Sequence, residues 1–112
     1  MAEELKLELH LDDTDTFFWA MANKTRRKIL KLLIFRKKLN VTAIAYALEQ
    51  TEANISYQIQ ILEKAKLVKA DFNPGKHGIN KFVSLTYSKI FIFLNSAEGE
   101  VSKKWNVPGV KH

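Results

Sequence analysis

The side chains that most often carry catalysis or bind metals are sparse in this sequence of 112 residues. Cysteine is absent, and the histidines His10, His77 and His112 lie far apart along the chain. A metal site needs three or four ligands that converge, and nucleophilic catalysis needs a nucleophile beside its base. The acidic pair Asp12-Asp13 is better explained as charge in an arm before a helix. We therefore expect no metal site, no cofactor and no enzymatic activity.

One segment in the middle of the chain suits a different chemistry, hydrogen bonding to DNA bases. On a helical wheel with about 100° per residue, Ile55, Ile59 and Leu62 lie on one side. Tyr57 and Gln60 lie on the opposite side, and a glutamine can present a donor and an acceptor together to adenine. The residues predicted to read bases are Thr51, Glu52, Asn54, Ser56, Tyr57 and Gln60.

Positive charge surrounds this segment. Residues 1–15 contain six acidic residues and one basic residue, a charge of −5. The rest of the chain contains 17 basic and six acidic residues, a charge of +11, so the total is +6. A basic body favours polyanions, of which nucleic acid is the commonest in a cell. The residues predicted to contact DNA phosphates are Lys37, Lys38, Lys64, Lys76, His77 and Lys81.

Apolar periodicity predicts the helices that must position these groups. They run from Thr16 to a break at Asn23, over 25–35, from 41 or 42 to 48, and over 52–65, with a basic connector at 36–40 and a turn at 49–51. Thr14 or Asp15 is expected to cap the first helix and Thr51 the fourth, whereas Thr42 is expected to cap the third helix or to lie in its first turn. Two short helices joined by so tight a turn form a helix-turn-helix.

Strands are predicted on both sides of the helices. Alternating leucines indicate a strand over 5–11, within an acidic arm of residues 1–15. A hairpin over 67–85, with a Pro-Gly turn, occupies the place of a wing. A last helix is predicted over 87–105, although residues 90–93 also suit a strand. The tail, 106–112, is expected to be flexible. The fold predicted is mainly α with a small β-hairpin, an α+β winged helix-turn-helix domain over 16–105.

Two segments and the hairpin, in this order, resemble the ArsR-type winged-helix repressors. Residues 18–30, FWAMANKTRRKIL, match the family's opening segment, with Lys24 at the usual place of a proline. Residues 54–68, NISYQIQILEKAKLV, are similar to its recognition helix. The resemblance implies a DNA-binding winged helix. It also implies a structural role for Arg26 and Arg27, and pairing of two copies through the first and last helices.

Metal sensing is not implied for this chain. Metal-responding members of the family place cysteines in the helix that corresponds to residues 41–48, or histidines and acids in the last helix. Neither pattern is present here. We therefore expect a member of the family that does not sense metals, of prokaryotic or archaeal type, and nothing in the residues points to a particular small-molecule effector.

The sequence as a whole predicts a homodimeric regulator of transcription, acting as a repressor, that binds double-stranded DNA at specific sequences. An alternative is a winged helix that serves as a protein–protein interaction module within a transcription complex. The polar, mostly uncharged face of residues 51–64 favours DNA. Surplus apolar surface predicts the dimer interface, with the residues Phe17, Phe18, Trp19, Ile90, Phe91 and Leu94.

Membranes are not expected among the partners. No run of apolar residues approaches the roughly 18 needed to cross a bilayer. The first residues are acidic, whereas a secretory signal begins with positive charge. We expect a cytoplasmic protein associated with the nucleoid.

Overall fold

A computed structural model describes residues 6–75 and 78–94 of the chain, and the side chains of all of these except residues 75, 78 and 79. The helices are α1 (Asp15–Met21), α2 (Lys24–Arg36), α3 (Val41–Leu48) and α4 (Glu52–Lys64). The strands are β1 (Lys6–His10), β2 (Lys38–Asn40), β3 (Val68–Gly75), β4 (Gly78–Leu85) and β5 (Lys89–Phe93). None of the described helices is long and apolar enough to cross a membrane.

Short polar side chains begin three of the helices. The side-chain oxygens of Asn23, Asn40 and Thr51 each accept a hydrogen bond from the backbone N–H three residues later, at the start of α2, α3 and α4. Such caps satisfy N–H groups that have no partner within the helix. The Thr51 cap is confirmed. Asn40 caps α3, and Thr42 lies in its first turn, which is one of the two positions expected for it. The predicted side-chain cap of α1 is wrong, because Thr14 donates its hydroxyl to a preceding carbonyl oxygen.

The core lies where α2, α3, α4 and β4 meet. Its most deeply buried side chains, each less than 2% exposed, are Ile29, Leu33, Ile44, Ile55, Ile59, Leu62 and Val83. Each helix contributes one apolar stripe, so its opposite face remains in solvent. This arrangement holds α4 against the body by one side and presents the other side outward.

The wing is part of an antiparallel sheet with the strand order β2-β4-β3. Strands β3 and β4 form a hairpin in which Gly75 pairs with Gly78, so the predicted hairpin is confirmed. The predicted Pro-Gly turn is wrong, because Pro74 and Gly75 are paired residues of β3. Strand β2 lies in the segment interpreted as a basic connector, and its Leu39 pairs with Val83. A strand of three residues is too short to produce a recognisable alternation in the sequence.

The second sheet is a parallel ribbon of β1 and β5, in which Leu7 pairs with Ile90 and Leu9 with Ile92. The predicted N-terminal strand is confirmed, and its neighbour is β5. The last helix predicted over 87–105 is wrong at residues 89–93, which form β5. Alternation of half-buried and exposed side chains along β5, together with a partner strand, favours a strand there. Residues 95–105 and the predicted tail lie outside the described part of the chain.

Candidate nucleic-acid interface

The outward face of α4 is polar and carries little charge. Tyr57 is 58% exposed, and Gln60 and Lys64 are exposed beside it. Ile55 and Ile59, on the other side of the helix, are fully buried. The helical wheel therefore assigned the two faces correctly. An exposed helix face of this composition can enter the major groove of DNA and form hydrogen bonds with base edges.

The first turn of α4 meets the first turn of α3. The hydroxyl of Thr42 donates to Oε1 of Glu52 over 3.1 Å, and the hydroxyl oxygen of Thr51 is engaged in the helix cap. Thr51 and Glu52 are exposed, and Ser56 is half-buried on the flank of α4. The contact with Thr42 holds the Glu52 carboxylate at the junction of the two helices.

Asn54 is half-buried, and both ends of its amide are hydrogen-bonded within the protein. Its Nδ2 donates to Oε1 of Gln50 over 2.8 Å. Its Oδ1 accepts from Nε2 of Gln58 over 3.1 Å. Gln58 is only 8% exposed. Sequence reasoning missed both glutamines, because Gln50 lies in the turn and Gln58 borders the apolar stripe. A polar residue within an apolar stripe was the one signal that could have drawn attention to Gln58.

Arg26 explains why Gln58 can be buried. Its Nη1 donates to Oε1 of Gln58 over 2.6 Å. Its Nε and Nη2 donate to the backbone carbonyl oxygens of Ala20 and Trp19 over 2.7 and 2.9 Å. Arg26 is 6% exposed, and its guanidinium lies 5.7 Å from the centre of the Trp19 ring. The side chain ties the end of α1 to α4, which is the structural role that the family resemblance implied.

Two of the cations predicted to contact phosphates are paired with acidic side chains. Nζ of Lys81, on β4, lies 2.7 Å from a carboxylate oxygen of Glu63, on α4. Nζ of Lys38, on β2, lies 2.9 Å from a carboxylate oxygen of Asp71, on β3. The hydrogen bond and the charge of Lys38 lower the pKa of the Asp71 carboxyl from its ordinary value of 3.8. The pair of Lys81 with Glu63 joins the wing sheet to α4, and the pair of Lys38 with Asp71 joins the two outer strands of that sheet. Both pairs partly neutralise the positive charge of these lysines.

The remaining predicted phosphate contacts divide into two groups. Lys64, in the last turn of α4, and Lys37, directly after α2, are exposed. Lys37 ends α2 with a positive φ of 67°. Lys76 and His77 lie outside the described residues, so their contact with phosphate stays a prediction.

The residues predicted to form a dimer interface do not share one environment. Phe18, Trp19, Phe91 and Leu94 are 48%, 47%, 45% and 76% exposed. Phe17 belongs to the core at 8% exposed, which leaves it little surface for a partner. Ile90 faces inward from β5 and lines a small cavity with Leu30 and Leu85. The first group therefore offers apolar surface and the second supports the fold.

Comparison with known proteins supports this reading of the fold. Residues 21–70 match the family described as "Helix-turn-helix domain". A homodimeric winged helix-turn-helix DNA-binding domain from Mycobacterium bovis, a possible ArsR-family transcriptional regulator, is 29% identical with a TM-score of 0.58. This chain has the winged helix-turn-helix fold of that domain. The match covers 67% of this chain, which spans less than two thirds, 65%, of that relative.

Two further structures share the domain. The AntR antimony-specific transcriptional repressor is 25% identical with a TM-score of 0.56, over 67% of this chain and 64% of that one. NolR from Sinorhizobium fredii, at 23% identity and a TM-score of 0.57, has the same fold over 65% of this chain and 68% of its own. No match was found among curated proteins.

The antimony specificity is a property of AntR. The 112 residues contain no cysteine, the soft ligand that thiophilic metals select. Within residues 6–75 and 78–94, no three histidine or acidic side chains are placed so that they could hold a metal ion.

Proposed function

We propose that this protein is a homodimeric regulator of transcription that binds double-stranded DNA at specific sequences and acts as a repressor. The observation that carries the proposal is the outward face of α4, where Tyr57 and Gln60 stand clear of the body on a helix that is buried along its other side. A rigidly held helix with exposed amide and hydroxyl groups is the element that reads base edges in helix-turn-helix proteins.

Cations near this face would hold the phosphate backbone. Lys64 lies at the end of α4, Lys37 lies between α2 and β2, and Lys76 and His77 lie in the turn of the wing sequence. Phosphate contacts position a protein on DNA without reading its sequence. Base reading by α4 determines which DNA sequence is preferred, whereas phosphate binding by these cations contributes affinity for any DNA. Substitutions in the two groups should therefore have different effects on binding.

Two copies would pair through the apolar surface that α1 and the end of β5 leave exposed, with Phe18, Trp19, Phe91 and Leu94 as its members. The relative from Mycobacterium bovis is homodimeric, which supports pairing here. A two-fold dimer would place two copies of α4 in successive major grooves about one helical turn apart. A dimer bound across a promoter would exclude other proteins from that DNA, which supports repression.

Binding to labelled DNA across a series of salt concentrations tests this proposal. Selection from a random DNA pool supplies the preferred site, and an unrelated sequence is the control. We expect Gln60→Ala to reduce the preference for the selected site, and Lys64→Ala to weaken binding to both DNAs alike and to lower the salt slope by about one. Equal affinity of the unsubstituted protein for selected and unrelated DNA would contradict sequence-specific binding.

The proposed dimer is tested by sedimentation. Phe18→Glu places a charge in the exposed apolar surface of α1 and leaves the buried core unchanged. We expect a shift from dimer to monomer and weaker binding to a site with two half-sites. Thr16→Glu, at another exposed position on α1, is the control for the added charge. A protein that sediments as a monomer before any substitution would contradict pairing.

A further inference from the structure

Four side chains form one continuous line of hydrogen bonds from the interior to the DNA-facing end of α4. The line runs from Arg26 through Gln58 and Asn54 to Gln50. We infer that Arg26 fixes the direction of every amide in this line, so that Gln50 presents a donor to an acceptor on a DNA base. The inference rests on the proposed function and names a base-reading residue outside the segment 51–64.

The direction of the line follows from the chemistry of its buried end. A guanidinium has five N–H donors and no acceptor. Gln58 must therefore turn Oε1 toward Arg26, as the 2.6 Å contact shows, and its Nε2 is left to donate to Asn54. Asn54 must then accept through Oδ1 and donate through Nδ2. Oε1 of Gln50 accepts that bond, which leaves the NH₂ group of Gln50 as the donor at the end of the line.

Arg26 cannot relax this arrangement by turning away. Its other N–H groups donate to the backbone carbonyl oxygens of Ala20 and Trp19, and the side chain is 6% exposed. A reversed Gln58 amide would place NH₂ against the guanidinium and leave buried donors without acceptors, which is costly in a low-dielectric interior. The buried end of the line therefore controls the exposed end.

Gln50 is placed where a donor can reach DNA. It is exposed and directly precedes Thr51, the cap of α4. The first turn of a recognition helix is the part that contacts base edges in the major groove. In the major groove, guanine and thymine present acceptors, adenine presents an acceptor beside an amino donor, and cytosine presents only an amino donor. We expect the base opposite Gln50 to be guanine or thymine and cytosine to be rejected.

Gln58→Glu tests the inference by reversing the line. A carboxylate only accepts, so it would accept from Arg26 and also from Nδ2 of Asn54. Oδ1 of Asn54 would then accept from Gln50, whose Oε1 would face the DNA as an acceptor. In selections from a random DNA pool, we expect the preference at one position of the site to move toward cytosine or adenine by about tenfold. The other positions should keep their preferences.

Gln58→Met is the matched control, because it fills the same space and imposes no direction. We expect the preference at that position to be relaxed, without a new base being favoured. If Gln58→Glu and Gln58→Met both select the same base as the unsubstituted protein, the inference is overturned. If the unsubstituted protein selects no sequence at all, the proposed function itself fails, which is a different result.

Gln50→Glu keeps the test decisive if the variants at Gln58 do not fold, as circular dichroism would show. This exposed substitution retains an acceptor for Asn54 but removes the outward donor. We expect it to lose the preference for guanine or thymine at the same single position. Gln60→Glu, which makes the same change of charge on α4, should alter the base preference at a different position of the DNA site. An unchanged preference in Gln50→Glu would overturn the inference.

Discussion

The helix-turn-helix body and the β1–β5 ribbon use similar apolar residues but bury them to different degrees. In the body, side chains such as Ile29, Ile55 and Ile59 are fully buried. In the ribbon, Leu9 and Ile92 pack against the core and remain half-exposed. An isolated pair of strands is marginal in water without a packed face. The body therefore defines its own geometry, whereas the ribbon depends on the body for its stability.

The largest expected effect is a truncation in the body. Ile59→Ala removes a fully buried side chain of α4, and we expect it to lower the free energy of unfolding by about 2–5 kcal/mol. That is a large part of the roughly 5–15 kcal/mol that a domain has in total. Denaturant unfolding measures the loss, and Ile59→Val, the milder truncation, should cost about 0.5–1.5 kcal/mol. A smaller loss from the alanine variant than from the valine variant would contradict the packing described.

A truncation in the ribbon should cost less and act locally. Ile92→Ala removes a half-buried side chain of β5, and we expect a loss of about 1–2 kcal/mol. Amide hydrogen exchange should accelerate in β1 and β5 and remain slow in α4, because the two regions open separately. Glu8→Ala, on the exposed face of the same ribbon, is the control and should change little. Equal acceleration in α4 would show that the two regions unfold as one.

The cap of α4 gives a smaller effect within the body. Thr51→Ala removes the acceptor of the Asn54 backbone N–H, and we expect it to lower the free energy of unfolding by about 1 kcal/mol. Thr51→Ser keeps the hydroxyl oxygen and should retain most of the stability. Thermal unfolding of the two variants makes the comparison, and an equal loss from both would show that the hydroxyl is not the stabilising group.

The smallest expected effect concerns the pair between Lys38 and Asp71. Because the pKa of Asp71 is lowered in the folded protein, its contribution to stability is present above the pKa of the unfolded chain, about 3.9. It is lost as the pH falls through the lower pKa of the folded state. The difference in stability between the unsubstituted protein and Asp71→Asn should therefore be small at neutral pH and vanish in acid. A difference in stability between these two proteins that grows as the pH falls would contradict a lowered pKa of Asp71 in the folded protein.

Much of the body was predictable from the residues because its signals are local. The apolar spacing of Ile55, Ile59 and Leu62 defined the buried side of α4, and the opposite side held Tyr57 and Gln60 in solvent as expected. The turn before Thr51 likewise depends on neighbours in the chain. Helix caps and amphipathic periods act within a few residues, so the sequence alone determines them.

The ribbon and the line of hydrogen bonds were decided by tertiary structure. Residues 89–93 are a strand because β1, from the other end of the described chain, pairs with them. Arg26 and Gln58 are 32 positions apart, and no local pattern shows that an arginine and a glutamine are buried together. The sequence determined which face of α4 meets the solvent. Only the fold decided how the amides at the end of that helix are directed, because a buried donor needs a partner that distant segments supply.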